Sequence, residues 1–355
     1  MSYVSEQNQV TTKENLAQKL QMQMAEKIIG LFDLVVSDRS KHYRDNPDKV
    51  PNAASIPSII SSYSNVNMVA SGGINLIPGP GGMAATLPEV ALIIRNQLAM
   101  IYDIGVAYGK SQVLNKVLLA GIFLSAMGTS TGTLLVMQGG KVLVRRVSLR
   151  VFQRIVVLLA GKVTQQMLKS LVSKWLPIIG AAAMGAWSNY ITRQIGKKAV
   201  EILEKPIEVE AYEIEDESIV EDVAGAQISR SESIPTEIPY DYAVLKIKAL
   251  TNLMKIDKKL KPAEHGYIQT LIENSEINDQ AKIELANLID VEGKISVDFT
   301  LFAKEPDEAA GMLFDLIGLA KRDGEFHLAE KIYIKQAGKL MGISESDIEE
   351  AMVLE

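Results

Sequence analysis

Three short stretches of this chain carry residue types at spacings that could do chemistry. Gly128-Thr129-Ser130-Thr131-Gly132 has the spacing of an esterase elbow, in which the serine hydroxyl is the nucleophile on a sharp strand-to-helix turn. That chemistry needs a histidine and an acid beside the serine, and the chain offers only His42, His265 and His327. The competing explanation is packing, because glycines four apart among small residues let helices approach closely. Gly105-Val106-Ala107-Tyr108-Gly109-Lys110-Ser111 comes close to a phosphate loop, but it is one residue short and follows a helical pattern rather than a strand. The polar ending of an apolar helix, closed by Gly109, explains it better. Asp323, Gly324, Phe326 and Glu330 match positions five, six, eight and twelve of a calcium-binding EF-hand loop, whereas Leu319 and Lys321 stand where the first two ligands belong. Glu330, and Glu264 after Pro262, equally fit the third helical position, where a carboxylate closes a capping box.

The distribution of charge is more telling than any of these. Between Asp103 and Glu201 there is no Asp or Glu, yet those 97 residues hold thirteen Lys and Arg and the longest apolar runs. The chain has a net charge of −6, so the rest of it, with those thirteen cations set aside, carries −19. Arg146, Arg150 and Arg154 lie four residues apart, which puts three guanidinium groups on one face of a helix. Lys141, Arg145, Lys162, Lys169 and Lys174 continue the block. A solvated stripe is the plain reading. With no acid in the block to pair these cations, an anionic membrane surface or a membrane protein becomes the expected partner, each cation near a lipid surface contributing about 1 kcal/mol. Nucleic acid ranks below it, because Tyr108, Phe123, Phe152, Trp175, Trp187 and Tyr190 form no stacking array.

The elements that must position these residues read as helices. Leu16, Leu20, Met24, Ile28, Leu31, Phe32 and Val35 recur at helical spacing, with Thr11 and Glu14 placed as a capping box. The stretch Ser71 to Glu89 holds five glycines and three prolines and cannot be regular helix before about Leu87. Helical pattern resumes from Pro88 to Lys110 and again in apolar stretches at Val117 to Gln138, Ile155 to Ala160 and Trp175 to Ile191. The uncharged interval Val117 to Gly140 is 24 residues long, enough to span a bilayer. Its polar centre at Gly128 to Thr133 fits three arrangements: buried bundle helices, a hairpin in one leaflet, or a span. From Pro206 to Asp241 there are eleven Asp or Glu against one Arg, which reads as a solvated acidic linker. No period-two alternation is sustained, so the expected class is all-α, with two helical-bundle domains at 1–205 and 242–355 and the linker at 206–241 between them. The absence of cysteine excludes disulfides, thiol catalysis and Cys-ligated metals and makes the cytosol the natural compartment. The start MSYVSEQNQVTTKEN lacks the pattern of a secretory signal.

The last 110 or so residues contain a repeat. Lys255, Asp257, Ala263, Glu264, Tyr267 and Ile268 recur 66 residues on as Lys321, Asp323, Ala329, Glu330, Tyr333 and Ile334. Capping signals stand at Asn278 and at Ser344 with Asp347. The two Asp-containing turns, each followed by a Glu seven residues later, resemble the TerB-like family associated with tellurite resistance. AKRDGEFHLAE is the closer copy; in the first, Lys258 stands where a Gly is expected. The resemblance implies a compact helical bundle whose acidic face binds a weak divalent cation, Ca or Mg, and so points to Asp257, Glu264, Asp323, Glu325 and Glu330. The segments IPGPGGMAATLPEVALIIRNQLAMIYDIGVAYGK and LPIIGAAAMGAWSNYITRQIGKKAVEIL resemble the EcsC family over about residues 55–205. That resemblance implies a helical module in bacterial membrane, transport or secretion settings, without assigned catalytic residues.

These readings converge on a bacterial cytoplasmic protein held at the inner face of the cell membrane. Its basic, apolar first module would engage anionic lipid or a membrane partner, and its TerB-like module would serve assembly, including self-association, or divalent-ion sensing. No covalent chemistry is expected. The alternatives are a lipid-acting serine hydrolase centred on Ser130 and a nucleic-acid-linked stress protein. A further expectation is that the acidic stretch Glu208 to Asp222 folds back on the basic face when no membrane is present.

Overall fold

The computed structural model describes residues 2–72, 86–127, 134–172, 180–214, 240–256, 262–275, 277–291, 293–304, 306–321 and 326–353, and most of the segments with helical periodicity among them are helices. Among the described residues there are twelve α-helices and one small sheet, so the protein is predominantly helical. The chain divides into two compact units, Met1–Gln165 with Ser188–Ile234, and Gln166–Trp187 with Pro235–Glu355.

The first unit begins with helix α1, Ser2–Asp45. It starts well before the Thr11–Glu14 capping signal, because no Gly or Pro interrupts the sequence before Gly30 and nothing compels the helix to begin there. Met24, Ile28, Phe32 and Val35 form its buried stripe, and Phe32 meets Phe152 edge-on at 5.5 Å between ring centroids. Helix α3 (Leu87–Ala107) packs against both α1 and α2 (Ile56–Gly72), and α4 (Lys116–Ala126) follows. Asn115 caps α4 by accepting from the N–H groups of Val117 and Leu118. By length and composition α3 could cross a membrane, but 67% of its apolar window is buried inside the protein, as befits a core helix.

The expected all-α class holds for the protein as a whole, and the structure adds one small sheet to it. Strands β1 (Leu135–Gln138) and β2 (Lys141–Val147) form an antiparallel hairpin, and β3 (Ile207–Ile214) lies parallel to β2. The hairpin turn is Gly139-Gly140, both at positive φ (58° and 80°), a conformation that glycine adopts without a Cβ penalty and that matches the twist of a two-residue hairpin. Val117 to Gly140 is therefore not one helical span. The presumed linker likewise opens with a strand, since IEVEAYEI alternates acid with apolar side chains and its acid count hid its period of two. Helices α5 (Leu149–Val172) and α6 (Gly180–Leu203) lie between β2 and β3 in the chain.

The second unit is built from a repeat whose elements keep step with the sequence. Helices α7 (Tyr240–Met254), α8 (Pro262–Asn274) and α9 (Asp279–Asp290) are followed, each 66 residues on, by α10 (Pro306–Ala320), α11 (Leu328–Leu340) and α12 (Glu345–Val353). The expected caps form: Asn278 accepts from the Ala281 N–H at 2.8 Å, and Ser344 Oγ accepts from the Asp347 N–H while donating to its carboxylate. Leu250, Leu253, Ile268, Ile272, Leu313, Leu316, Ile334 and Ile348 supply the core. Asn252 holds the connection after α9 with two 2.7 Å hydrogen bonds to the Ile295 backbone, and the Lys255 ammonium donates to Leu288 O in the last turn of α9 and to Val291 O just past its end.

Candidate functional site

The basic face is assembled by β2 and α5. Val142 and Val144 point inward from β2, leaving the opposite positions to Lys141, Leu143 and Arg145. Ser148 caps the next helix, accepting from the Val151 N–H at 3.3 Å, and its own N–H donates to Ile214 O. From there Val151, Phe152, Ile155, Val156 and Leu159 are buried, which turns Leu149, Arg150, Gln153, Arg154 and Val157 to the surface. Arg146, Arg150 and Arg154 are all exposed, but the expected row on one helix face is corrected: Arg146 lies on β2, and only Arg150 and Arg154 share a side of α5, with exposed Leu149 and Val157 near them. Arg145 is half-buried. The side chains of Lys162 and Lys169, and all of Lys174, lie outside the described residues.

Several cations of the acid-free block find partners from beyond it. Lys141 donates to both carboxylate oxygens of Glu208 on β3 at 2.8 Å, and Arg146 stands opposite Glu213 in the β2–β3 register. Lys116 reaches Asp33 at 3.2 Å while lying over the Phe152 ring, and Lys198 pairs with Glu201. Lys110 donates to Lys205 O at 2.9 Å. The phosphate-loop possibility ends here. Gly109 sits at φ +70° with its N–H on Val106 O, the Lys110 N–H returns to Gly105 O, and a Cβ on Gly105 would collide with Leu114.

Two buried polar clusters of this unit escaped the sequence reading. Asp103, only 4% exposed, takes both arms of the Arg39 guanidinium at 2.7 Å and the Tyr63 hydroxyl at 2.8 Å, and Arg39 also donates to Tyr43 Oη. Burial raises the Asp103 carboxyl above its ordinary value, against the charge and hydrogen bonds of Arg39 and the tyrosine hydroxyls. Burial also pushes the Tyr43 hydroxyl up, to about 12, with the Asp103 charge adding to it. Deeper in the bundle, the Thr192 hydroxyl on α6 accepts from Asn67 on α2 at 3.0 Å and from Gln97 on α3 at 3.1 Å, and Asn189 donates to Asn65. The available signal was polar residues at helical spacing within apolar helices: Ser64, Asn67 and Ser71; Asn96 and Gln97; Ser188, Asn189 and Thr192. In the second unit the same kind of surprise is an ion pair between Lys246 on α7 and Asp315 on α10.

Of the candidate ion ligands, Asp257, Asp323 and Glu325 lie outside the described residues, as do Ser130 and the side chain of Glu264. Glu330 is described, and its Oε2 accepts from the His327 N–H at 2.9 Å, closing the N-terminus of α11 as a capping carboxylate does. Pro262 opens α8 at the first helical position, as its sequence suggested.

With this geometry in hand, comparison with known proteins gives one family. Tellurite resistance protein TerB matches residues 245–353, which span the helical repeat from α7 to α12. A TerB domain is therefore present at those residues, and it suggests a tellurite-resistance-related or adaptor function. No curated protein and no solved structure matches the chain. The expected EcsC resemblance of the first unit is not supported by any family match.

Proposed function

We propose that the protein is a non-enzymatic adaptor of the inner membrane surface. Its first unit, EcsC-like in sequence, docks on anionic lipid, and its TerB domain serves assembly or ion sensing. The observation that carries this reading is the set of exposed cations Arg146 on β2 and Arg150 and Arg154 on α5, with exposed Leu149 and Val157 on the same helix, in a stretch of 97 residues with no acid. Guanidinium groups pair bidentately with phosphate, and flanking aliphatics can enter the acyl boundary. Strand β3 tempers this attraction, because Glu208 and Glu213 stand beside the cations of β2. The contacts of Glu208 and Glu213 support the expected fold-back of Glu208 to Asp222, of which residues 215–222 lie outside those described. In the TerB domain, a weak Ca or Mg site would draw on Asp257, Glu264, Asp323 and Glu325, with calorimetric titration of either cation as its test.

Co-flotation with neutral and anionic liposomes, at low and high salt, tests the lipid reading. Binding is expected only to anionic vesicles. The triple variant R146A/R150A/R154A should bind about a hundredfold more weakly, from ~1 kcal/mol per cation. Neutralising the strand with E208Q/E213Q should tighten binding. Equal flotation on neutral vesicles, or an unchanged triple variant, would remove the basic face from the mechanism, and salt-sensitive retention on nucleic acid without lipid would favour the nucleic-acid reading instead.

A further inference from the structure

One buried hydroxyl of the first unit is left without a partner. Tyr102 on α3 is 3% exposed, yet its hydroxyl makes no hydrogen bond to any described residue. Buried phenols ordinarily find one. Two others in this region do: Tyr43 Oη accepts from Arg39, and the Tyr63 hydroxyl donates to Asp103. Packing alone would be served as well by a phenylalanine. The Tyr102 hydroxyl is not sealed within the protein either, because the residue lines a cavity of about 260 Å³.

The last turns of α1 supply Ser40, Tyr43 and Arg44 to this cavity, and Ser111 reaches it from beyond α3. The hydroxyls of Ser40 and Ser111 have no partner among the described residues. Arg44 is held loosely, with its Nε 3.8 Å from Asp45. The wall thus offers one cation, no carboxylate, and three hydroxyls still able to donate. Nearby carbonyls do not claim them: His42 O receives both the N–H and the Nδ2 of Asn46, Val106 O the Gly109 N–H, and Gly105 O the Lys110 N–H. Val50 and Val106 add an aliphatic side.

That combination defines a class of ligand. Several neutral donors around one guanidinium match an anion with three accepting oxygens, as a phosphate monoester has, better than a carboxylate with two. The volume equals that of roughly eight liquid waters, which leaves room beside the phosphate for a small aliphatic body against the valines. The backbone of Gly105 to Ser111 is not that of a phosphate loop, but its Val106 and Ser111 line this cavity. We propose that the cavity between α1 and α3 binds a phosphate monoester, with Arg44 and the hydroxyls of Ser40, Tyr102 and Ser111 as its donors. The ester is either a small soluble one or the headgroup of a lipid such as phosphatidic acid. The site is separate from the cations of β2 and α5 and does not rest on their binding to lipid.

The test is calorimetric titration and thermal unfolding of the full-length protein with glycerol 3-phosphate, and with glycerol as the control. The wild type should bind the ester, gain thermal stability from it and ignore glycerol. Tyr102→Phe keeps the ring and loses no protein hydrogen bond, so the unliganded variant should melt as the wild type does. It should bind the ester about tenfold more weakly, for want of one hydrogen bond to a charged group. Arg44→Gln should show no binding at ~10 mM ester. If the site takes the ester only from a lipid, the wild type should float better on phosphatidylcholine vesicles carrying phosphatidic acid than on those carrying phosphatidylglycerol, and Tyr102→Phe should abolish that preference. No binding of glycerol 3-phosphate at ~10 mM together with no preference for phosphatidic acid would overturn the proposal. So would binding that Tyr102→Phe or Arg44→Gln leaves unchanged, or an equal response to glycerol, since each reduces the cavity to a cleft that holds water.

Discussion

The two halves of the TerB domain share a backbone plan and differ in what they place on it. Helices α7, α8 and α9 and helices α10, α11 and α12 begin at equivalent positions. Yet Lys246 of the first half has Met312 as its counterpart, and Asp315 of the second half has Ala249. The one buried ion pair recorded in this domain among the described residues thus joins two positions that are apolar in the opposite half. The periodic features, namely helix lengths, caps and the buried Tyr-Ile pair, serve folding. The features that break the symmetry have no counterpart in the repeat: the pairing of Lys246 on α7 with Asp315 on α10, and the exposed Leu328, Ile332 and Leu340 of α11.

That contrast can be tested most severely at the ion pair. Asp315→Ala strands the Lys246 ammonium against α10 and is expected to cost about 4 kcal/mol in urea unfolding, as breaking a buried pair does. Lys246→Met combined with Asp315→Ala gives each position the residue of its counterpart and should recover most of that loss. If the double variant is as unstable as the single one, the pair is not simply an asymmetric substitute for apolar packing.

A smaller effect separates the two halves by pH. Burial pushes the Tyr333 hydroxyl up to about 12, and it donates to Ala249 O on α7. The folded domain therefore keeps a proton that the unfolded chain releases above pH ~10, so stability falls as pH rises from about 10 toward 12, by up to ~2 kcal/mol. The thermal midpoint of Tyr333→Phe should be less sensitive to pH across that window, and parallel curves for both proteins would assign the alkaline loss to another group.

Close approach differs between the halves as well. A Cβ on Gly338 would lie 2.6 Å from Ile348 Cδ1, whereas the equivalent position of α8 holds the buried Ile272. Gly338→Ala is expected to cost ~1–2 kcal/mol by forcing α11 and α12 apart, and equal or greater stability than wild type would show that Ile348 has room to move. The smallest effect belongs to the cap. Glu330→Ala should remove about 1 kcal/mol, measured as a shift in urea midpoint of the same size with and without Ca or Mg. A loss seen only when the cation is present would instead make Glu330 an ion ligand.

Much of this architecture could be read locally. Asn278, Ser344 with Asp347, and Glu330 announce helix starts because a cap is made within three residues of itself. Gly109 announces a helix end for the same reason. The sheet was missed because its signals were brief: two glycines between Val136 and Val142, and an alternation in β3 masked by its acids. The concentration of arginines was legible, but their four-residue spacing misled, because Arg146 belongs to β2 and only Arg150 and Arg154 to α5, and the company they keep was not legible. Glu208 meets Lys141 across 67 residues, and Asp103 meets Arg39 across 64, distances at which the sequence offers many acids and no rule for choosing among them.

By itself, then, the sequence determined the helices, their caps, the repeat and the concentration of positive charge, since each depends on residues within a turn or on simple composition. Only the tertiary structure decided that β3 lies against β2, that Asp103 receives Arg39 and Tyr63, that Thr192 gathers Asn67 and Gln97, and that Lys246 meets Asp315. A buried polar group must find a partner wherever packing brings one, and packing is a property of the whole fold rather than of any window along the chain.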